Sequence, residues 1–252
     1  MSEQIAEFRK DQDAYGHELY DFWKGEEDVF EIIERDDGFT DAADHVDMYF
    51  QDFGEWSEIE REGMKHLVPG RCLDLGCGAG RVELYLQGLG REAVGIDNSP
   101  LAVQVCRERG VKDARLLPVE KITPALGTFG NIIMYGNNWG LMANYKQAKR
   151  LLRLFHRMTT PEARIIATTN DVYKTDNPLH LAYQAWNRER GRMSGQIRFR
   201  VRRGICCSKW FDYLMVSKPE IEEILEGSGW EVLEYIDSEG AQYVAVLGKS
   251  QE

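Results

Sequence analysis

The sequence lacks several features that would assign it to a particular class of protein. Its 252 residues include only 5 cysteines, an odd number with no C-x-x-C pair, so neither a disulfide framework nor a zinc site is indicated. No apolar run approaches the roughly 18 residues of a membrane span, and the first residues lack the basic and apolar regions of a signal peptide. We therefore expect a cytoplasmic protein with free thiols and no membrane partner.

Net positive charge is also missing, because the formal net charge is −11. Residues 1–62 carry 21 acidic and 5 basic side chains, a net charge of −16, and the rest of the chain is basic overall. A long acidic face repels phosphate backbones. Nucleic acid is thus a disfavoured partner, although a local basic groove could still exist.

A glycine-rich loop follows the first predicted buried strand. The apolar run 71–75 is typical of a parallel strand, and the glycines of Asp74-Leu75-Gly76-Cys77-Gly78-Ala79-Gly80 lead it into a helix near Ala79. A dinucleotide fingerprint would need a third glycine at position 81 to receive a pyrophosphate, but that residue is Arg81. The loop instead predicts main chain, including that of Cys77, lying close to an uncharged nucleoside with an amino-acid tail.

A second short apolar strand, 93–97, ends in Asp97 roughly 20 residues after the first glycine. A carboxylate at this point can accept hydrogen bonds from both hydroxyls of a ribose. Asp97 alone could equally be a capping or solvated acid, but the glycine loop upstream favours the ribose interpretation. Asn98 follows it, and Ser99 and Pro100 are typical of the first residues of a helix.

From about residue 71 the chain alternates strands and helices in the manner of a doubly wound parallel sheet. Strands are predicted at 71–75, 93–97, 114–117, 131–135, 164–169, 230–236 and 243–247, and helices at 101–109, 145–158 and 219–226. Residues 1–65 are predicted to form a mainly helical N-terminal cap with a turn at 36–38. Residues 66–252 then form the core domain, in which residues 172–216 are a cap insertion beyond the carboxyl ends of the strands.

The glycine loop resembles motif I of the class I S-adenosylmethionine-dependent methyltransferases. Over nearly its whole length the chain is similar to a bacterial group of this family, through residues 13–16, 34–38, 73–81, 136–138, 180–192 and 210–213. The resemblance implies an α/β, Rossmann-like fold with a seven-stranded sheet whose last strand is antiparallel. It also implies S-adenosyl-L-methionine as the cofactor, without identifying the methyl acceptor.

The resemblance extends the candidate cofactor site to two further loops. Val119 and Glu120 follow the third strand, where related folds contact the adenine, and Asn137 occupies the position of motif IV and could bind the methionine end. Residues 136–140 could instead form an Asx-type turn closed by Gly140, and Asn138 or Trp139 could face the acceptor. The candidate cofactor-binding residues are Asp74, Gly76, Cys77, Gly78, Asp97, Asn98, Val119, Glu120 and Asn137.

Three residues after the fifth strand are candidates for catalysis. Methyl transfer is an in-line displacement, so the protein mainly aligns donor and acceptor and takes the proton of the acceptor. His180, at the entrance to the cap insertion, suits that proton role, with Tyr173 and Asp171 as alternatives. A single histidine is more often structural, and an acceptor that is already a free amine or thiolate needs no base.

Residues 196–202 alternate apolar side chains with Arg198, Arg200 and Arg202. This arginine face could bind a carboxylate or phosphate on the substrate. We favour a second interpretation, in which the strand pairs with residues 209–216 as a hairpin and its arginines are neutralised by the acidic N-terminal cap. The aromatic residues of that cap most simply pack it onto the core, although one or two could line the acceptor pocket.

These observations together predict a methyltransferase that acts on a nitrogen or oxygen of a small molecule, which could be anionic. The alternatives are methylation of RNA or a protein side chain, which requires an open, continuous arginine face, and a regulatory protein that binds the cofactor without turnover.

Overall fold

The computed structural model describes residues 12–43 and 46–250, so the parts of the predicted N-terminal cap at 1–11 and 44–45 lie outside the described residues. The helices are α1 (Ala14–Trp23), α2 (Glu58–Gly63), α3 (Arg81–Gly88), α4 (Pro100–Glu108), α5 (Tyr145–Arg157), α6 (Pro178–Glu189) and α7 (Lys218–Leu225). The strands are β1 (Glu31–Arg35), β2 (Thr40–Ala43), β3 (Cys72–Leu75), β4 (Ala93–Asp97), β5 (Ala114–Leu116), β6 (Phe129–Met134), β7 (Thr159–Asn170), β8 (Gln196–Arg203), β9 (Cys206–Cys207), β10 (Phe211–Leu214), β11 (Trp230–Asp237) and β12 (Gln242–Lys249).

Seven of these strands form one sheet in the order β11-β12-β7-β6-β3-β4-β5. The pairs β4 with β5 and β6 with β7 are parallel, whereas β12 is antiparallel to both β7 and β11. The predicted seven-stranded, Rossmann-like sheet with an antiparallel last strand is therefore confirmed. Parallel strands that carry helices on both faces must be apolar throughout, and β3, β4 and β6 are buried at every position.

The helix boundaries follow from local capping chemistry. The Ser99 hydroxyl accepts the N–H of Ala102, and Pro100 occupies the first turn of α4, as predicted. The Asn144 side chain caps α5 in the same way. This helix buries an apolar stripe that includes Leu151 and Phe155.

A second, five-stranded sheet has the order β10-β8-β1-β2, with β9 paired to β8. β1 and β2 form an antiparallel hairpin, and β1 pairs antiparallel with β8. The prediction that residues 1–65 are mainly helical is therefore wrong for residues 31–43, because pairing with the distant β8 completes a sheet that local pattern does not reveal. The turn predicted at 36–38 is confirmed: Gly38 has φ 88° and donates its N–H to the Arg35 carbonyl.

The chain divides into two compact units that do not follow the boundary predicted after residue 65. Unit 1 contains the described residues up to Trp56, with Asp74–Ile122 and Arg198–Phe211, and unit 2 contains Ser57–Leu73, Thr123–Ile197 and Asp212–Glu252. The β1–β8 pairing explains why the N-terminal segment groups with part of the insertion. The insertion also contains α6, which the sequence analysis did not predict. Across residues 12–43 and 46–250, none of the helices has the length and hydrophobicity needed to cross a membrane.

Candidate functional site

The glycine loop of unit 1 connects β3 to α3 through three residues with left-handed backbone. Gly76, Gly78 and Gly80 have φ values of 75°, 53° and 82°, which residues other than glycine rarely adopt. A Cβ on Gly78 would also lie 2.9 Å from the Tyr15 hydroxyl. Both the turn and the space above it therefore require glycine at this position.

The N–H groups of the loop are used within the loop and by β4. Gly76 and Cys77 donate to the Ile96 carbonyl at 2.9 and 3.0 Å, and Gly80 donates to the Cys77 carbonyl at 2.8 Å. Gly78 donates to Asp97 Oδ2 at 3.0 Å. These four donors are already occupied by protein acceptors. The loop fits a ligand that packs against bare main chain.

Asp97 lies at the end of β4 with its carboxylate held by the backbone. Oδ1 accepts the N–H of Ser99 at 2.9 Å, and Oδ2 accepts that of Gly78. Burial raises the pKa of Asp97 to about 6, against the hydrogen bonds from these two N–H groups, which favour the ionised form. The backbone thus holds an oriented carboxylate beside the glycine loop, with acceptor capacity left for a ligand.

The other candidates in unit 1 surround this carboxylate. Asn98 is exposed directly after it, and the Leu117 N–H donates to the Asp97 carbonyl at 2.8 Å. Val119 and Glu120 begin a short 3₁₀ helix, Val119–Lys121, with Val119 half-buried and Glu120 exposed. The loop after β5 is thereby fixed to the end of β4.

Asp74 and Cys77 contribute differently from the other loop residues. Asp74 is buried in β3, and Glu83 of α3 is buried close to it. Burial is the main cause that raises the pKa of Glu83, and the nearby Asp74 raises it further. The Cys77 thiol points away from the loop surface and lies 3.8 Å from Cys106 Sγ. Arg81, where a third glycine would stand in a dinucleotide site, stacks its guanidinium 4.7 Å from the centre of the Trp56 ring.

The start of α1 is attached to this region by an interaction that the sequence analysis missed. The Asp13 carboxylate caps α1 through the Gly16 N–H, and it also accepts the Ser99 hydroxyl at 2.9 Å and the Leu101 N–H at 3.0 Å. One buried acid therefore caps α1 and joins it to the first turn of α4. An acid just before a predicted helix was the available signal, but its second partner is distant in sequence.

In unit 2, Asn137 takes a left-handed conformation with φ 64°. Its N–H donates to Thr168 Oγ1 at 2.7 Å, and its carbonyl accepts the Tyr213 hydroxyl at 2.6 Å. Gly140 also donates to this carbonyl, so residues 137–140 do form a turn, while the Asn137 side chain accepts from Gln242 Nε2 at 3.2 Å. The side chain is thus not used for an Asx-type turn. Trp139 is fully buried.

The three catalytic candidates also lie in unit 2. Tyr173 is half exposed and donates its hydroxyl to Glu220 Oε1 at 3.0 Å, and burial raises its pKa, which keeps the phenol protonated at neutral pH. Asp171 accepts the Tyr173 N–H at 3.0 Å. His180 lies in the first turn of α6, with Nδ1 3.4 Å from Thr175 Oγ1.

The arginine face of β8 is neutralised within unit 1, as the favoured interpretation predicted. Arg200 and Arg202 both bind the carboxylate of Glu34 on β1, the former at 2.9 Å. Arg203 binds Asp21 at 3.1 Å and Glu26 at 2.7 Å. The hairpin is also confirmed, because β8 neighbours β10. Two of the three arginines of this face, Arg200 and Arg202, are thus paired with an acid of the N-terminal segment.

Residues 72–162 match the family model of the methyltransferase domain. No curated protein matches the chain. Among solved structures, the chain is similar to an S-adenosylmethionine-dependent methyltransferase from Bacteroides fragilis in complex with S-adenosyl-L-homocysteine, at 24% identity and a TM-score of 0.81 over 97% of this chain and 98% of that one.

Two more distant structures share the fold. The CcbJ methyltransferase from Streptomyces caelestis has 15% identity and a TM-score of 0.56 over 81% of this chain and 98% of that one. An S-adenosylmethionine-dependent methyltransferase from Clostridium acetobutylicum has 15% identity and a TM-score of 0.58 over 80% and 93%. At these identities the likeness establishes the fold, and substrate identity lies beyond it.

Proposed function

We propose that this protein transfers a methyl group from S-adenosyl-L-methionine to a nitrogen or oxygen of a small molecule. The premise is that the chain has the class I S-adenosylmethionine-dependent methyltransferase fold and matches the methyltransferase domain family at residues 72–162. The observation that carries the proposal is the oriented Asp97 carboxylate beside the glycine loop. The solved relative crystallised with S-adenosyl-L-homocysteine supports the choice of cofactor.

The residues of unit 1 fit this cofactor in three ways. Asp97 would accept hydrogen bonds from the ribose hydroxyls, the main chain of Gly76 and Gly78 would lie against the nucleoside and its amino-acid tail, and half-buried Val119 would pack on the adenine. Arg81, at the position where a dinucleotide site needs a third glycine, argues against a pyrophosphate-containing cofactor. When bound, the sulfonium supplies a methyl group whose bond to sulfur breaks as the acceptor's lone pair forms the new bond.

The side chains of unit 2 would serve the acceptor. We assign Tyr173 as a hydrogen-bond donor and not as a base, because its raised pKa keeps the proton on the phenol. Asp171 accepts the Tyr173 N–H. His180 is our candidate for taking a proton from a hydroxyl acceptor, because histidine is the side chain most often used in this role.

Isothermal titration calorimetry with S-adenosyl-L-homocysteine tests the proposed cofactor site. We expect the wild-type protein to bind and Asp97→Ala to lose at least about tenfold in affinity, because hydrogen bonds to a charged group are each worth roughly 1.5–3 kcal/mol. Asp176→Ala, at an exposed acid in unit 2, is the matched control and should bind like wild type. Unchanged affinity in Asp97→Ala would refute the ribose role of this carboxylate.

Turnover is tested by S-adenosyl-L-homocysteine production in the presence of sets of small amines and alcohols. Production with at least one set supports an enzyme acting on small molecules. Production with RNA or protein extracts alone would favour the macromolecular alternative. Tight cofactor binding with no production from any set would instead favour a regulatory protein that holds the cofactor.

A further inference from the structure

A buried carboxyl group of α1 has one oxygen atom that its surroundings in the fold do not satisfy. Glu18 lies in the middle of α1 and is 1% exposed. Its Oε1 atom has no hydrogen-bond partner within the described residues, and the Ile32 backbone is the one hydrogen-bonding group that lowers its pKa. An unsatisfied buried carboxyl oxygen is costly, so its presence in the middle of a helix calls for a partner that residues 12–43 and 46–250 do not supply.

Three other polar side chains are linked to this carboxyl group by contacts among themselves. Tyr15 precedes Glu18 by one turn on the same face of α1. Glu31, at the start of β1, interacts electrostatically with both Tyr15 and Glu18. The Tyr49 hydroxyl lies 3.5 Å from Glu31 Oε2, and the Tyr15 and Tyr49 rings meet edge to face at 5.5 Å. We call these four residues the Glu18 cluster. Tyr15, Glu31 and Tyr49 are all partly exposed, so a ligand can reach them.

The Glu18 cluster adjoins the proposed cofactor site within unit 1. The Tyr15 hydroxyl lies 2.9 Å from the point where a Cβ on Gly78 would stand. Asp97 is close enough to raise the pKa of Tyr15, after burial and Tyr49. A group bound by the cluster would therefore be next to a cofactor bound on the glycine loop.

The charges around the cluster favour a cation. Burial, and after it Glu31 and Asp21, raise the pKa of Glu18 to about 10, whereas Arg203 lowers it. Arg203 is already paired with Asp21 and Glu26. The arginines that could have selected an anionic substrate are thus neutralised, whereas two acids lie together beside two aromatic rings that also attract cations.

We propose that Glu18 and Glu31, with the rings of Tyr15 and Tyr49, bind a cationic centre, either the sulfonium of the methyl donor or an ammonium group of the methyl acceptor. This inference rests on the proposed function. If the ammonium group is bound, the methyl acceptor is cationic and not anionic. If the sulfonium is bound, the N-terminal segment distinguishes the methyl donor, whose sulfur is charged, from its product, whose sulfur is neutral. The cation supplies the partner that Glu18 Oε1 lacks.

Calorimetry with S-adenosyl-L-methionine and S-adenosyl-L-homocysteine tests the sulfonium source, because the first carries the positive sulfur and the second does not. The variant is Glu18→Gln, and the control is Glu27→Gln, the same change of side chain at an exposed position after α1. If the sulfonium is bound, Glu18→Gln loses about tenfold or more in affinity for the methionine form, and changes by less than about twofold for the homocysteine form. Glu27→Gln should match wild type with both.

The ammonium source is tested with n-butylammonium chloride added to protein saturated with S-adenosyl-L-homocysteine, against potassium chloride at equal ionic strength. If this source is correct, wild type binds n-butylammonium, and Glu18→Gln weakens that binding while leaving both cofactor affinities unchanged. In either case the cation should release up to one proton from Glu18 at pH 8, measured in buffers of different ionisation enthalpy. Glu18→Gln should release none.

Equal affinities of wild type and Glu18→Gln for all three probes would overturn the cation site. Should Glu18→Gln not fold, Glu31→Gln, at a partly exposed position, gives the same comparison. Failure of wild type to bind S-adenosyl-L-homocysteine would instead refute the proposed function. Binding of that compound without discrimination by charge refutes only the cation site, so the two failures are distinguishable.

Discussion

At the scale of single residues, the site depends on two carboxyl groups whose pKa values are raised by burial. Asp97 is buried, yet two backbone N–H groups orient its oxygens, and its pKa rises from 3.8 to about 6. Glu18 is buried next to another acid, and its pKa rises from 4.5 to about 10. The two carboxyls are thus expected to differ in charge at neutral pH, with Asp97 ionised and Glu18 neutral.

The Asp97 shift predicts a pH dependence of cofactor binding. The ionised carboxylate is the better acceptor for ribose hydroxyls, so affinity for S-adenosyl-L-homocysteine should be constant above about pH 7 and fall as the pH drops below about 6. Calorimetry between pH 5 and 8 measures this. Asp97→Asn should bind more weakly and show no such decline, and a wild-type affinity that stays flat to pH 5 would contradict the prediction.

The Glu18 shift predicts a pH dependence of stability. Because the folded pKa lies above the unfolded one, the folded state retains a proton that the unfolded state loses between pH 4.5 and about 10, so wild-type stability falls over that range. Glu18→Gln lacks this loss and should gain on wild type as the pH rises from 5 to 9, as measured by urea unfolding. Glu27→Gln should keep a constant difference from wild type; parallel behaviour of Glu18→Gln would contradict the shift.

At the scale of elements, α1 is positioned by close contact with the first turn of α4. A Cβ on Gly16 would lie 2.2 Å from Ser99 Oγ and 2.4 Å from Asp13 Oδ2. These atoms belong to the hydrogen bonds that join the two helices, so they cannot move aside without loss. Glycine at position 16 is thus needed for the approach of the helices.

Two glycine-to-alanine substitutions separate this packing effect from helix propensity. Gly16→Ala should destabilise the protein by about 1–3 kcal/mol through overpacking. Gly88→Ala, at the end of α3 with open space around it and no positive φ, should stabilise it by about 0.5–1 kcal/mol. Urea unfolding measures both. Stabilisation by Gly16→Ala would show that the α1–α4 contact is looser than the structure indicates.

At the scale of the whole molecule, the uneven charge along the chain is balanced by ion pairs that connect the N-terminal segment with β8. Glu34 alone holds two arginines, Arg200 and Arg202. Part of the acidity of the N-terminal segment therefore has a structural use, since it lowers the net positive charge of the arginine face.

Glu34→Gln should expose that arginine face. We expect a small loss of stability, because two ion pairs are removed, and later elution from heparin as two guanidinium groups become available. Urea unfolding and salt-gradient elution measure the two effects. Glu58→Gln, an exposed acid of α2, removes the same charge and should change neither, and identical elution of all three proteins would contradict the neutralised face.

Most of the core could be predicted from local pattern. The runs around β3, β4, β7 and β12 are apolar because both faces of the sheet are covered, and Ser99 and Asn144 identify helix starts through a hydrogen bond within one turn. The glycine loop and Asp97 were also predictable, because backbone conformation and strand ends depend on few neighbouring residues. α6 and the β1–β2 hairpin were not predicted, since the hairpin is completed by β8, some 165 residues away in the chain.

The amino-acid sequence by itself determined the seven-stranded fold, the glycine loop and the strand that ends at Asp97, because periodicity, caps and glycine positions are local properties. Tertiary structure alone decided which charges remain uncompensated. Pairing of β1 with β8 brings Glu34 to the arginines, and packing of α1 buries Glu18 beside Glu31. Electrostatic energies depend on distance and burial and not on separation along the chain, so the acidic character of the Glu18 cluster emerges only once these segments meet.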